Sequence, residues 1–176
     1  MNLSALKIDP EFQGKIPPLN AEEEHILEQN MIQERRLLNP IIIWNGYILD
    51  GHSRYRILKH HPEIAFEVKE IQLTDRYAAL AWICQNQLGR RNLDPERRKF
   101  LMGKAYENEK LSVGAPVGNQ NKVNQCGQNV HIDLHKRTCE RIAERNGVNS
   151  KFVQRAEKYA KGVDAAEAAV PGAMEE

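Results

Sequence analysis

Asp50-Gly51-His52-Ser53-Arg54-Tyr55-Arg56 places one glycine and two arginines where a short strand gives way to a helix. At such a junction glycine lets the backbone come close to a ligand, and the unpaired N–H groups of the helix start favour an anion. Arg54 and Arg56 add full positive charges to that field. The chemistry this combination suits is phosphate binding over residues 51 to 56. A second basic pair, Arg90-Arg91, lies between Leu88-Gly89 and Asp94-Pro95, in a loop set between the end of one helix and the capped start of the next. Surface arginines usually end solvated or beside a local carboxylate, but a loop pinned at both ends favours a ligand role. Two other constellations are weaker. His60 and His61 are adjacent, so they face different sides of a helix, and no further cluster completes a metal site. Cys126, His131, His135 and Cys139 are zinc-ligand types, yet the spacing has no paired cysteine knuckle, and a structural zinc is not expected.

The elements that must hold these residues are legible from local signals. Asn45-Gly46 between Ile41-Ile42-Ile43-Trp44 and Tyr47-Ile48-Leu49 predicts a hairpin with a type I′ turn, because both central residues need positive φ. Ser53 to Lys59 then has helical spacing with Tyr55, Ile57 and Leu58 inward, and His60-His61-Pro62 closes it. Upstream, Leu6 to Ile8 suits a sheet edge. Asn20 caps a helix over Ala21 to Arg36, whose glutamates sit where the dipole favours them. Phe66 to Leu73 reads as a further strand. Thr74-Asp75 opens a largely buried helix carrying Ala78, Ala79, Ala81, Trp82, Ile83 and a structural thiol, Cys84, and ending at Leu88 with Gly89 as a C′ glycine. Asp94 caps another helix, Pro95 to about Lys110. Residues 111 to 136 are amide-rich and aperiodic, the composition of a linker or mobile loop.

Thr138 to Ala160 reads helix, turn, helix. Ala143 permits close approach, Gly147 makes the turn, Val148 and Val153 fill the angle, and Asn149 or Ser150 caps the second helix. Lys136 to Lys161 holds eight Lys or Arg against three Glu, the local positive charge that phosphate contacts need. A plain helical hairpin is the ordinary alternative. The coincidence of turn, small residue and basic surface favours a DNA-binding helix-turn-helix, with Asn149, Ser150, Lys151, Gln154, Arg155 and Lys158 as candidate contacts. The tail from Val163 to Glu176 is expected to fray.

At 176 residues the chain holds one medium domain, or a domain plus a small module. A formal charge of +1 excludes any argument from bulk polyelectrolyte attraction and leaves only local clusters. Three widely spaced cysteines make no disulfide framework. No apolar run approaches the roughly 20 residues of a membrane span, and no signal-peptide core opens the sequence. A cytoplasmic protein with no membrane partner is expected.

Three stretches resemble the ParB family of DNA-partitioning proteins and the wider ParB/sulfiredoxin-like fold. Gly51-His52-Ser53-Arg54-Tyr55-Arg56 is similar to the family's Gly-Glu-Arg-Arg-aromatic-Arg phosphate motif. Asn86-Gln87-Leu88-Gly89-Arg90-Arg91-Asn92-Leu93-Asp94-Pro95 resembles its second motif, and the basic helix pair follows in the right order. The resemblance implies an α+β protein: a small mixed-sheet nucleotide-binding domain over residues 1 to 93, then a helical DNA-binding module over 94 to 176. It implies a nucleotide, CTP in the partition proteins, held by Gly51, His52, Ser53, Arg54, Arg56, Asn86, Gln87, Arg90 and Arg91. Double-stranded DNA would be the partner, with a homodimer allowed although the long C-terminal dimerisation domain of partition proteins is missing. His52 and Ser53 replace a Glu and an Arg, and Asn86-Gln87 replaces the Glu-Asn pair associated with magnesium. Amides are weak magnesium ligands, which argues against magnesium-dependent hydrolysis. Sulfiredoxins carry a nucleophilic cysteine where this chain has His52, so the reductase chemistry of that branch is lost. A phosphotransferase or nuclease branch of the fold is the alternative. There Asp50 would hold metal or accept a proton, and His52 would stabilise the transferring phosphate.

Overall fold

The structure is a computed structural model and describes residues 3–90, 93–113 and 136–169. Arg91, the zinc-type residues Cys126, His131 and His135, and the tail beyond residue 169 lie outside the described residues. The chain divides into two compact units, 1–73 and 74–176. The sequence alone places this division at 93/94. The difference has a packing cause: Cys84 and Leu88, expected in the first domain, are buried in one core with Phe100, Leu101, Met102 and Ala105.

The first unit is mixed. After a 3-10 turn at Leu3–Ala5 come α1 (Pro10–Gly14), α2 (Ala21–Glu34), β1 (Ile41–Trp44), β2 (Tyr47–Asp50), α3 (His52–His60) and β3 (Val68–Glu70). The sheet order is β2-β1-β3, with β2 antiparallel and β3 parallel to β1. Asn45 (φ 48°) and Gly46 (φ 79°) make the expected turn. The expected edge pairing is reduced to a single bridge, Lys7 to Tyr47, with Lys7 N–H donating to the Gly46 carbonyl at 2.9 Å. The strand expected over Phe66 to Leu73 is three residues long, its pairing with β1 running from Ile41 opposite Val68 to Ile43 opposite Glu70. The helix α1 was not anticipated, although Asp9 caps it and Pro10 takes its first position. It delivers Phe12, fully buried, edge-on to Tyr47 and tilted against Trp44. Beneath the sheet, Ile41, Ile43, Ile48, Tyr55, Ile57, Leu58, Ile64 and Met31 form the core. The capping box of α2 is reciprocal, Glu23 N–H to Asn20 Oδ1 at 2.8 Å and Asn20 N–H to Glu23 Oε2 at 3.0 Å. This helix stops at Glu34, short of the expected Arg36, because Arg35 turns left-handed (φ 52°) and its carbonyl accepts from Ala65 N–H at 3.0 Å.

The second unit is helical: α4 (Arg76–Leu88), α5 (Pro95–Val113), α6 (Thr138–Asn146) and α7 (Ser150–Ala169). Asp75 caps α4 through Ala78 N–H at 2.8 Å, as its sequence suggests. Gly89 does not adopt the left-handed C′ geometry expected of it, having φ −73°. The linker expected from 111 begins later, since α5 continues to Val113 and Ser112 donates to Asp75 Oδ2 at 2.9 Å. The tail expected to fray from Val163 is helical to Ala169, because Val163 packs on the core and Asp164 accepts from Lys104 at 2.9 Å. At Gly103 in α5 a Cβ would overlap the Ala156 carbonyl oxygen of α7, so the two backbones cross in contact.

Candidate functional site

The start of α3 is shaped by a bulge in the hairpin. Ile43 pairs with Ile48, but Ile42 pairs with Asp50, leaving Leu49 extra in β2. A bulge bends its strand and re-aims the residues beyond it; here Ile48 and Leu49 are both buried and the chain swings from Asp50 into α3. Two consecutive buried apolar residues are the signal in the sequence that strict alternation fails. Gly51, at φ 103°, holds a conformation that side chains rarely adopt, and having none of its own it offers no side-chain cap to the helix. The first-turn amides of α3 are therefore left to a ligand or solvent.

Arg54 lies across this junction. Its Nη2 donates to Asp50 Oδ2 at 2.9 Å, and its Nη1 donates to the Asn39 and Pro40 carbonyls at 2.7 and 3.0 Å. A Cβ on Gly51 would come within 3.1 Å of that guanidinium. Arg54 is thus a fixed charge at the helix start, and Asp50 is its counter-ion. Arg56 is more open and pairs with Glu24 of α2 at 2.9 Å. Ser53 is half-buried. His52 is only 6% exposed, and neither ring nitrogen has a hydrogen-bond partner. Burial pushes its pKa below the usual histidine value; Asp50 opposes that shift and Arg56 reinforces it. A neutral imidazole beside an anion-favouring helix start is the outcome.

Asn86, Gln87 and Arg90 belong to the second unit, at the end of α4. Asn86 is exposed, whereas Gln87 is 0% exposed with both amide atoms lacking a partner. Their adjacency in sequence therefore turns them to different sides of the helix. Arg90 is exposed, and its N–H donates to the Gln87 carbonyl at 2.9 Å. Among the described residues no group of three or more His, Cys, Asp or Glu is arranged to hold a metal ion. Cys84 and Cys139 are buried free thiols.

The α6–α7 pair has the turn expected of it. Gly147 is left-handed at φ 65°, Val148 N–H returns to the Ala143 carbonyl at 3.0 Å, and Asn149 Oδ1 caps α7 through Phe152 N–H at 2.7 Å. Ile142, Ala143, Val153, Ala156 and Ala160 are the buried face. Apart from Arg137, which is exposed with no ion pair among the described residues, the cations sort into two sets. Lys136 pairs with Glu144, Arg141 and Arg145 with Glu109 of α5, and Lys161 with Glu157. Lys151, Arg155 and Lys158 are exposed and form no ion pair among the described residues. Their spacing of four and three residues sets them on one face of α7. Asn149 is occupied by capping, Ser150 is half-buried, and Gln154 donates to Cys139 Sγ at 3.9 Å. Sequence reading missed the Glu109 anchor, which needs the tertiary approach of α5 and α6.

No protein-family model and no curated protein matches the sequence. In three dimensions the chain is similar to a solved Pnob8-like ParB-N domain, with TM-score 0.53 and 23% sequence identity over 63% of this chain and 44% of that one. The fold is therefore ParB-N-like: a small mixed-sheet α+β domain followed by a helical module, as the sequence resemblance implied. The chain spans less than half the length of that ParB-N domain chain. No helix among the described residues is long and apolar enough to cross a membrane.

Proposed function

We propose that this chain is a ParB-like DNA-binding protein in which α6, the Gly147 turn and α7 act as a helix-turn-helix. The observation that carries the reading is the row Lys151, Arg155 and Lys158, three exposed cations without a carboxylate on the outer face of the second helix, while Lys136, Arg141, Arg145 and Lys161 nearby are paired. Unpaired, aligned charge on one helix face is what phosphate contacts use, each releasing counterions on binding. The start of α3 is the accompanying nucleotide site, with CTP the candidate that the family resemblance supplies. Gly51 offers uncapped amides suited to a phosphate, and Arg54, held by Asp50 and two loop carbonyls, fixes the geometry of that junction. Asp50 is engaged by Arg54 and His52 is buried, which favours positioning roles over phosphate transfer, so binding is preferred to the phosphotransferase alternative.

The test is duplex binding as a function of salt. The protein is expected to bind double-stranded DNA with an affinity that falls steeply with ionic strength, and Lys151→Ala, Arg155→Ala and Lys158→Ala combined are expected to abolish it at moderate salt. An unchanged gel shift for the triple variant would remove this face from the interface. Calorimetry with a nucleotide panel tests the α3 site separately.

A further inference from the structure

We propose that Phe152 reads the C5 methyl group of a thymine in the major groove, making it a specificity-determining residue of the DNA interface; this rests on the helix-turn-helix reading above. Phe152 is 37% exposed in the first turn of α7, next to Lys151 and one turn before Arg155. Its ring makes no aromatic or cation contact among the described residues, whereas the other ring on this helix, Tyr159, is covered by Lys99 Nζ at 4.1 Å from its centroid. A lone exposed apolar residue is ordinary on a protein surface. This one is different in placement: it is held by the Asn149 cap at its own backbone N–H, 2.7 Å, and stands beside the row of unpaired cations. Those cations meet phosphates, which orient the helix but carry no sequence information.

A thymine methyl needs an apolar reader, which the cations do not supply. Asn149 spends its carbonyl on the cap and Gln154 leans on Cys139, so the two amides best suited to adenine are engaged within the fold. An apolar ring cannot satisfy the donors and acceptors of guanine, cytosine or adenine. Thymine alone presents a methyl group in the major groove, and apolar side chains pack on it. Phe152 supplies such a surface at the position where the helix start approaches the bases.

The experiment selects duplexes from a random-sequence pool with the whole protein, then replaces each thymine of the selected site by uracil, which deletes only the methyl. One replacement is expected to weaken wild-type binding about fourfold, the worth of one buried methyl. Phe152→Ala is expected to bind the thymine and uracil duplexes equally with an unaltered salt dependence, and Phe152→Leu to keep the discrimination. The inference is overturned if wild type shows no uracil penalty, if the penalty survives in Phe152→Ala, or if selection yields no sequence preference. Salt-dependent binding with no uracil penalty removes this inference alone, while absence of any duplex binding removes the helix-turn-helix reading with it. The uracil comparison in wild type needs no variant to fold.

Discussion

His52 shows how one side chain's environment sets testable behaviour. Its pKa is lowered from 6.5 chiefly by burial, so the unfolded chain takes up a proton before the folded one does. The stability it contributes is complete above about 6.5 and is lost as the pH falls through that value toward the lower folded pKa. His61 has the opposite sign. Hydrogen bonds to Glu28 at 2.9 Å and Glu63 at 3.2 Å raise its pKa, so its contribution is complete below the unfolded value and is lost as the pH rises through the raised one. An NMR titration of the imidazole protons is expected to place the His52 midpoint below 6.5 and that of His61 above it; the reverse order would contradict both assignments. At the same helix start, Ser53→Glu separates fold from ligand binding. A carboxylate in the first turn should stabilise α3 by about 0.3–1 kcal/mol through the helix dipole, yet repel a phosphate. Thermal melting is expected to rise or hold while nucleotide binding in the calorimeter disappears. Arg54→Ala is less clean, because it also strips Asp50 and two loop carbonyls of their donor.

Among the elements, the hairpin, the caps of α2 and α4 and the turn between α6 and α7 were readable because each depends on residues a few positions apart: Asn45-Gly46, Asn20 with Glu23, Asp75, and Gly147. The bulge at Leu49, the truncation of β3 and the true ends of α5 and α7 were not. The last three are decided by partners far along the chain, such as Ile43 opposite Glu70 or Lys104 with Asp164, and the bulge by how Ile42 comes to face Asp50 across the hairpin. Gly103 belongs with these. A glycine inside a helix is a signal of close approach, but only the crossing with α7 says what approaches. Gly103→Ala forces its new methyl against the Ala156 carbonyl, and overpacking of this kind costs about 1–3 kcal/mol against roughly 1 kcal/mol regained in helix propensity. Urea unfolding should therefore show a net loss, and a gain would mean that α5 and α7 are not in backbone contact. Arg35→Gly runs the other way. The left-handed conformation at φ 52° strains any side chain, so relief of about 0.5–1 kcal/mol is expected in the same assay.

For the whole molecule, a net charge of +1 means that nucleic-acid affinity depends on distribution and not on total. Removing the three unpaired cations of α7 is expected to lower the slope of log affinity against log salt by about 3, near 0.9 per phosphate contact. Lys161→Ala, which removes a cation already paired with Glu157, should leave that slope nearly unchanged. Equal effects of the two changes would show that bulk charge, not the α7 face, drives binding. By itself the sequence determined the local grammar of the chain: a type I′ hairpin feeding a glycine-started helix, a run of capped helices, and a basic pair of helices joined at Gly147. These are short-range features, fixed by backbone sterics and by groups within a turn of one another. Only the tertiary structure decided which charges are spent and which remain. Arg141 and Arg145 are taken up by Glu109 of α5, while Lys151, Arg155 and Lys158 stay open. It also placed the unit boundary at 73/74, with Cys84 and Leu88 of α4 buried in one core with α5. Long-range packing brings Glu109 to Arg141 and Arg145 and no carboxylate among the described residues to Arg155, and no local pattern encodes that choice.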